Sequence, residues 1–394
     1  MHQKIYRQVL TLTLLTTFVL SEAAKVDGKA HTPEHLSQWT ADLEKLGWTF
    51  PNPKDSTDKI FFRDISIAKI EAIDAGSQLL FLNDDLLVAY HTVTSRGNWQ
   101  NATRQLEASF FRVKDGGLQE TMHWTGAVRK ASGGEDSESR IISLGNGRFL
   151  VDANGTLMWY GGDFKLIRQQ KLEPSTLVNL WGLQATLDGS DIFVRHEILP
   201  AVNDNRRSVT YEWHDAQTFE LLKSMPGNIY QGRSVLGLEH GIALWCQEGG
   251  GTCTINTEGQ IKRICYVGLC GEAGPSPIAA HQFGLVGRNG IGVLDEESGL
   301  LWSDTVDPED DHHGLLFGGL MAAASGKRFA VSVNAHRKYR FDSVDIRKDM
   351  ILVYDTESSK HIFALSARGE FALSSDGRKL AVLEDGRVSL YTID

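Results

Sequence analysis

Short apolar runs of alternating polarity, each broken by a tight polar turn, recur along most of this chain. FALSSDGRKLAV (371–382) shows the unit: an apolar strand, an Asp-Gly turn, and a second apolar strand. Strict alternation over a few residues is the pattern of a half-buried β-strand, and Asp-Gly or Asn-Gly between two such runs is the turn chemistry of a hairpin. The same unit is read at Asn83-Asp84, Asn146-Gly147, Asp188-Gly189, His240-Gly241, Phe283-Gly284, Ser325-Gly326 and Asp376-Gly377, spaced by roughly 40 to 60 residues. That spacing matches the period of four-stranded propeller blades.

A second class of turn interleaves with the first, in FFRVKDGGLQETMHW, WYGGDFKLIRQQ, YEWHDAQTFELLKSM, TINTEGQIKRICYV, GVLDEESGLLWSDTV and LVYDTESSKHIFAL. Each supplies the outer hairpin of a blade. Seven inner and six outer hairpins leave the last blade one strand short, and KIFFRDISIAKIEAI (Lys59–Ile73) is read as the strand that returns to complete it. Closing a ring in this way removes the exposed strand edges that template aggregation. The expectation is an all-β, seven-bladed β-propeller over 59–394, with blades at 76–126, 127–173, 174–227, 228–274, 275–314 and 315–369, and 370–394 joined by part of 59–73.

Upstream, His31–Gly47 reads as a short helix, with Thr32 as cap, Pro33 in the first turn, Gly47 as stop, and Leu36, Trp39, Leu43 and Leu46 at helical spacing. Trp39 and Trp48 are read as packing residues, and Phe50–Asp58 as a linker within the segment 24–58. Residues 1–23 read as a signal peptide: Lys4 and Arg7, then apolar Val9–Leu20, then a Ser21-Glu22-Ala23 cleavage step. A secreted or periplasmic protein is expected, with no membrane span once the signal is removed.

These repeats resemble exported bacterial propellers of the WD40-like and quinoprotein-like groups. VLDEESGLLWSDT (Val293–Thr305) is similar to a quinoprotein repeat, and FALSSDGRKLAVLEDGRVSLY to the inner hairpin of WD40-like propellers. The resemblance implies architecture, and no catalytic residue is carried over from it.

Export changes the reading of the cysteines. All four, Cys246, Cys253, Cys265 and Cys270, lie in one window, and an even count in an oxidising compartment predicts two disulfides, Cys246–Cys253 and Cys265–Cys270. Zinc is the rival reading, but no C-x-x-C pair supports it.

A formal net charge of −10 argues against nucleic-acid binding, which calls for a basic stripe. Thr94–Glu107, Thr125–Ser139, Glu197–Ser208, Asp307–Gly314 and Asn334–Lys348 are read as long connections on one face, and all but Asp307–Gly314 carry arginine or lysine. Arg96, Trp99, Arg129, Arg206, Arg207, His336, Arg337, Tyr339 and Arg340 are the candidate ligand-binding residues, because a guanidinium fork suits carboxylate or phosphate and a neighbouring ring can stack on a sugar or peptide. Asp310, Asp311, His312 and His313 in DPEDDHHG are candidate metal ligands or an acid–base pair, with His336 as distant partner. His91, His123, His196 and His281 are read as structural.

No G-x-S-x-G elbow or G-x-x-x-x-G-K-[ST] phosphate loop occurs. The expected function is therefore a binding or scaffold module for a protein, carbohydrate or small anionic ligand, with no cofactor beyond a divalent metal at the DPEDDHHG cluster. The alternative is an exported enzyme, either a metal-assisted, lactonase-like hydrolase or a quinoprotein-like redox protein.

Overall fold

The computed structural model describes residues 37–42, 45, 77–94, 103–127, 139–153, 155–171, 176–198, 208–227, 235–245, 252–264, 275–279, 281–287, 290–305, 313–338 and 345–393. They build seven antiparallel four-stranded sheets. The first holds β2 (Gln78–Asn83), β3 (Leu86–Thr94), β4 (Thr103–Arg112) and β5 (Leu118–Ala127), and the second β6 (Arg140–Ser143), β7 (Phe149–Ala153), β8 (Thr156–Tyr160) and β9 (Leu166–Lys171). The third holds β10 (Thr176–Ala185), β11 (Asp191–Ile198), β12 (Ser208–Asp215) and β13 (Leu221–Gly227), and the fourth β14 (Val235–Gly237), β15 (Gly241–Trp245), β16 (Thr252–Asn256) and β17 (Ile261–Ile264). The fifth holds β18 (Ser276–Ala279), β19 (Gln282–Gly287), β20 (Gly290–Asp295) and β21 (Gly299–Thr305), and the sixth β22 (His313–Ala322), β23 (Arg328–Lys338), β24 (Asp345–Asp355) and β25 (Lys360–Leu365). The seventh is composite: β26 (Glu370–Leu373), β27 (Lys379–Glu384) and β28 (Arg387–Thr392) are completed by β1 (Trp39–Asp42) from the other end of the chain.

The core lies between blades. Leu79, Phe81 and Phe111 of blade 1 meet Ala381 and Leu390 of blade 7. Val88 and Phe110 meet Phe149 and Tyr160 of blade 2, whose Leu150 and Trp159 meet Ile192 and Val194 of blade 3. The series continues through Tyr211 with Ile242, Leu236 with Phe283, Val293 with Phe329, and Val353 with Leu380. Every blade interface therefore holds one apolar cluster, and the cluster joining blade 7 to blade 1 closes the ring. Full burial of a side chain such as Phe110 or Leu87 contributes about 1.5–3 kcal/mol, and both are 0% exposed.

Tight turns lock one face. The outer turn of a blade donates a backbone N–H to its own inner turn, as in Val113 to Asp85, Ala216 to Ser190, Thr257 to His240, Glu296 to His281 and Thr356 to Lys327. Inner turns also bond their neighbours: Gly147 donates to Leu82 O, Ser325 to Ser375 O, and Asp376 N to Asp84 Oδ1. Gly189 needs to be glycine, because its φ is +70° and an added Cβ would lie 2.2 Å from Leu144 O of the preceding blade.

Three sequence expectations are corrected. Closure comes from Trp39–Asp42, inside the segment read as a helix, while Lys59–Ile73 lies outside the described residues. A lone amphipathic helix of this length is marginal in water, whereas the free edge of β28 offers a backbone ladder, and tertiary pairing overrides local propensity. Trp39 pairs with Leu390 and Ala41 with Val388, so period-2 burial replaces the period-3.6 reading. Phe283-Gly284 is not a turn: both residues lie within β19, and the chain reverses before Gln282. Asn334–Lys348 is mostly strand, because the β23–β24 ladder continues to Lys338 opposite Asp345 even where polar residues obscure the alternation.

Candidate functional site

The strand ends that feed the second-to-third strand connections and the blade-to-blade connections lie on the face opposite the locked turns. Residues 95–102, 199–207, 246–251 and 339–344 are of the first kind, and 128–139, 228–234, 265–275 and 306–312 of the second. Arg96, Trp99, Arg129, Arg206, Arg207, Asp310, Asp311, His312, Tyr339 and Arg340 fall in these segments and lie outside the described residues. Three candidates fall on strands. His313 is the first residue of β22 and pairs in register with Arg337 of β23, while His336 pairs with Gly314 on one side and Arg347 on the other. His313 and Gly314, the last two residues of DPEDDHHG, thus lie beside Arg337 and His336 on adjacent strands of blade 6.

Beneath this face in blade 1, His91, Glu107 and His123 form one cross-strand row over β3, β4 and β5. The His91 side chain is fully buried, with Nε2 3.1 Å from Glu107 Oε2, and Gln105 Nε2 donates to Glu107 Oε1 at 2.8 Å. His123 is half exposed, with Nδ1 4.0 Å from Glu107 Oε1. For His196, only the backbone is described, within β11 opposite Thr210.

On the locked face, two histidines that occupy the same turn of successive blades converge. His240 lies between β14 and β15, and His281 immediately before β19. Glu296, from the β20–β21 turn, sits under both with its side chain 6% exposed. Its Oε1 is 3.1 Å from His281 Nδ1 and 3.9 Å from His240 Nε2, and its Oε2 accepts the His240 backbone N–H at 3.3 Å. Glu239 Oε2 lies 3.3 Å from His281 Nε2 on the far side of the ring. The two imidazoles stack with centroids 5.7 Å apart. The hydrogen bond to Glu296 raises the pKa of His281 against the cost of desolvation, helped by the fields of Glu239, Glu296 and Asp295. Lys223, resting 4.3 Å over the Trp213 ring, bonds the Glu239 carbonyl.

His281, read as structural, has Glu239, His240 and Glu296 as neighbours here, and these three were not singled out from the sequence. The signal was there: LEHG and AAHQ place histidine at the same turn of consecutive repeats.

Between blades 5 and 6 on the outer side, Trp302, Ser303, Tyr354, Ser359, Lys360 and His361 line a cleft of ≈ 380 Å³. The Trp302 indole N–H is buried there without a hydrogen-bond partner among the described residues.

Cys253, on β16, is 2% exposed and does not stand as a free thiol. Cys246, Cys265 and Cys270 lie outside the described residues, as do both expected pairings.

No family model and no curated protein matches this chain. Among solved structures it is similar to the Pan2 WD40 domain of Neurospora crassa, at 11% identity and a TM-score of 0.46, over 82% of this chain and 89% of that one. It is also similar to the periplasmic gluconolactonase PpgL of Pseudomonas aeruginosa, at 14% identity and a TM-score of 0.42, over 73% and 88%. A putative TolB from Agrobacterium tumefaciens is similar at 11% identity and a TM-score of 0.38, over 70% and 94%. The seven-bladed, four-stranded architecture rests on this chain's own sheet order.

Proposed function

We propose that this chain is an exported binding or scaffold propeller, secreted or periplasmic, that takes a protein, carbohydrate or small anionic ligand on the face carrying its long connections. One observation carries the reading: the two faces of the ring are built differently. On one face five blades tie their outer turn to their inner turn through a backbone bond, and the inner turns at Gly147 and Ser325 bond the backbone of a neighbouring blade, which leaves little room for variation. On the other, segments such as 95–102, 199–207 and 339–344 leave the strand ends and carry Arg96, Trp99, Arg206, Arg207, Tyr339 and Arg340. Binding residues concentrate on long loops held by a rigid scaffold. Export is supported by the basic and apolar N-terminal segment.

Thermal shift of the full chain against a sulfated polysaccharide, an acidic peptide and a neutral oligosaccharide tests this. A ligand at a hundredfold excess over its Kd adds about 2.7 kcal/mol, so the true class raises Tm measurably. The shift disappears in Arg206→Ala/Arg207→Ala or Arg337→Ala/Arg340→Ala. Equal shifts in wild type and both variants overturn the proposal.

The register of blade 6 favours a second reading. With His313 opposite Arg337 and His336 beside it, a metal-assisted, lactonase-like hydrolase would draw on Asp310, Asp311, His312, His313 and His336. Lactone hydrolysis that survives in Asp311→Ala/His313→Ala removes it.

A further inference from the structure

We propose that Glu239, His240 and His281 form a site for a zinc-class divalent metal on the locked face, with Glu296 as the carboxylate that orients the histidine ligand.

The first support is spacing. One ligand atom from each of the three residues lies within 4.8 Å of the other two. Four ligands at about 2.05 Å around a tetrahedral ion are separated by about 3.3 Å. Glu239 Oε2 and His281 Nε2 already stand 3.3 Å apart. Only the His240 ring has to close in, and its side chain is 57% exposed and free to turn.

The second support is the carboxylate behind the ring. Glu296 is a buried acceptor facing His281 Nδ1, which leaves Nε2 on the side of the Glu239 carboxylate. A carboxylate holding the far nitrogen of a metal-bound histidine is the usual outer-shell arrangement, and it fixes tautomer and ring orientation.

The third support is rigidity. Thr257 N–H bonds His240 O, Glu296 N–H bonds His281 O, and Leu238 N–H bonds Gly241 O, so the ligands come from tied turns rather than free loops. Glu239 and His281 are about half exposed, which leaves access for the ion and for water in the remaining position. Two imidazoles and one carboxylate suit zinc, and cobalt as its spectroscopic substitute, over magnesium or calcium. Lys223 donates its hydrogen bond to the Glu239 backbone carbonyl.

The site is independent of the long-connection face, so the two readings stand or fall separately. The test is titration of the untagged, chelator-treated full chain with Co²⁺ by visible absorption and with Zn²⁺ by calorimetry. We expect one ion per chain, with binding lost in His281→Ala and in Glu239→Gln, and weakened about tenfold in Glu296→Gln. His312→Ala/His313→Ala should bind as wild type does. If His281→Ala fails to fold, Glu239→Gln, altered at a half-exposed position, carries the test. The proposal is overturned by absence of saturable binding, by binding unchanged in Glu239→Gln and His281→Ala, or by binding lost in the His312/His313 variant instead.

Discussion

Trp39 donates its indole N–H to the backbone carbonyl of Val113 at 2.7 Å, across 74 residues of sequence. Trp39 belongs to the strand that completes blade 7, and Val113 to the outer turn of blade 1. The ring is thus closed twice, by the β1–β28 ladder and by this side chain lying over the next blade. Phe111 meets the indole at a ring-centroid distance of 6.2 Å.

Gly116 makes the closure testable by a double-mutant cycle. Its φ is +69°, and an added Cβ would sit 2.7 Å from Trp39 Cδ2. A non-glycine residue in the left-handed region costs about 1–2 kcal/mol, and the clash adds to that. Trp39→Ala removes an aromatic anchor and its hydrogen bond, and should cost about 3 kcal/mol. Because the two groups touch, the costs should not add. In chemical denaturation, Gly116→Ala should be distinctly cheaper in the Trp39→Ala background than in wild type. Additive effects would show that Trp39 does not lie where it is described.

Much of this was readable from the chain because each inner turn carries its own chemistry. Asp376-Gly377 and Asp188-Gly189 place glycine at φ +74° and +70°, where a side chain is strained, so the hairpins announce themselves. The closing strand announced nothing. Trp39, Leu43 and Leu46 fit a helical stripe as well as Trp39 and Ala41 fit a strand, and only the free edge of β28, brought close by the whole ring, decides between them. Phe283-Gly284 misled for a related reason: a glycine in an apolar run looks like a turn, but Gly284 is in β19 to admit Leu320, whose Cδ1 would lie 2.5 Å from a Cβ there. The Glu239–His240–His281 cluster is made by two turns 41 positions apart in numbering and by Glu296 from a third. Spacing rules for metal motifs along one segment do not reach that far.

Two tryptophans in corresponding places should respond differently to the same change. Trp124 and Trp302 both end their blades and pack on a stacked Phe/Tyr pair, Phe149–Tyr160 and Phe329–Tyr354 respectively. Trp124 donates to Tyr160 Oη at 2.9 Å, whereas the Trp302 N–H is buried without a partner among the described residues. Replacement by Phe removes similar apolar area in each, but a satisfied hydrogen bond in only one. Trp124→Phe should therefore be the more destabilising by about 1 kcal/mol, measured by urea denaturation. Equal losses would mean that the Trp302 N–H is satisfied after all.

Acid should loosen the outer turns. The backbone N–H of Thr218 holds the Asp215 carboxyl below its usual range, and Ser298 and Ser358 do the same for Asp295 and Asp355. A carboxyl with its folded pKa below the unfolded value near 3.9 contributes stability that is complete above that value and lost as pH falls through the folded one. The Asp215→Asn/Asp295→Asn/Asp355→Asn variant keeps an acceptor oxygen at each turn but cannot titrate there. Its Tm should lie below that of wild type at pH 7, and the gap should narrow between about pH 4 and pH 2. A constant gap over that range would exclude these carboxyls as the source of acid sensitivity.

Removing the closing strand should cost far more than its four residues suggest. Trp39, Thr40, Ala41 and Asp42 pair along β28 from Leu390 to Arg387, and Gln38 N–H adds a bond to Leu390 O at 2.6 Å. A chain starting at residue 47 would expose that edge together with Val388 and Leu390, both 0% exposed in the closed ring. An unpaired apolar edge is a template for association with other chains. We expect this chain to melt lower than a chain starting at residue 36 and to aggregate with increasing concentration. A synthetic peptide covering 36–46 should restore the monomer by adding the strand in trans, and the same peptide with Trp39→Ala should restore it poorly. Deletion of Lys59–Ile73, the segment first read as the closing strand, should leave the β28 edge covered. If that deletion aggregates while the chain starting at residue 47 does not, β1 is not the closing strand.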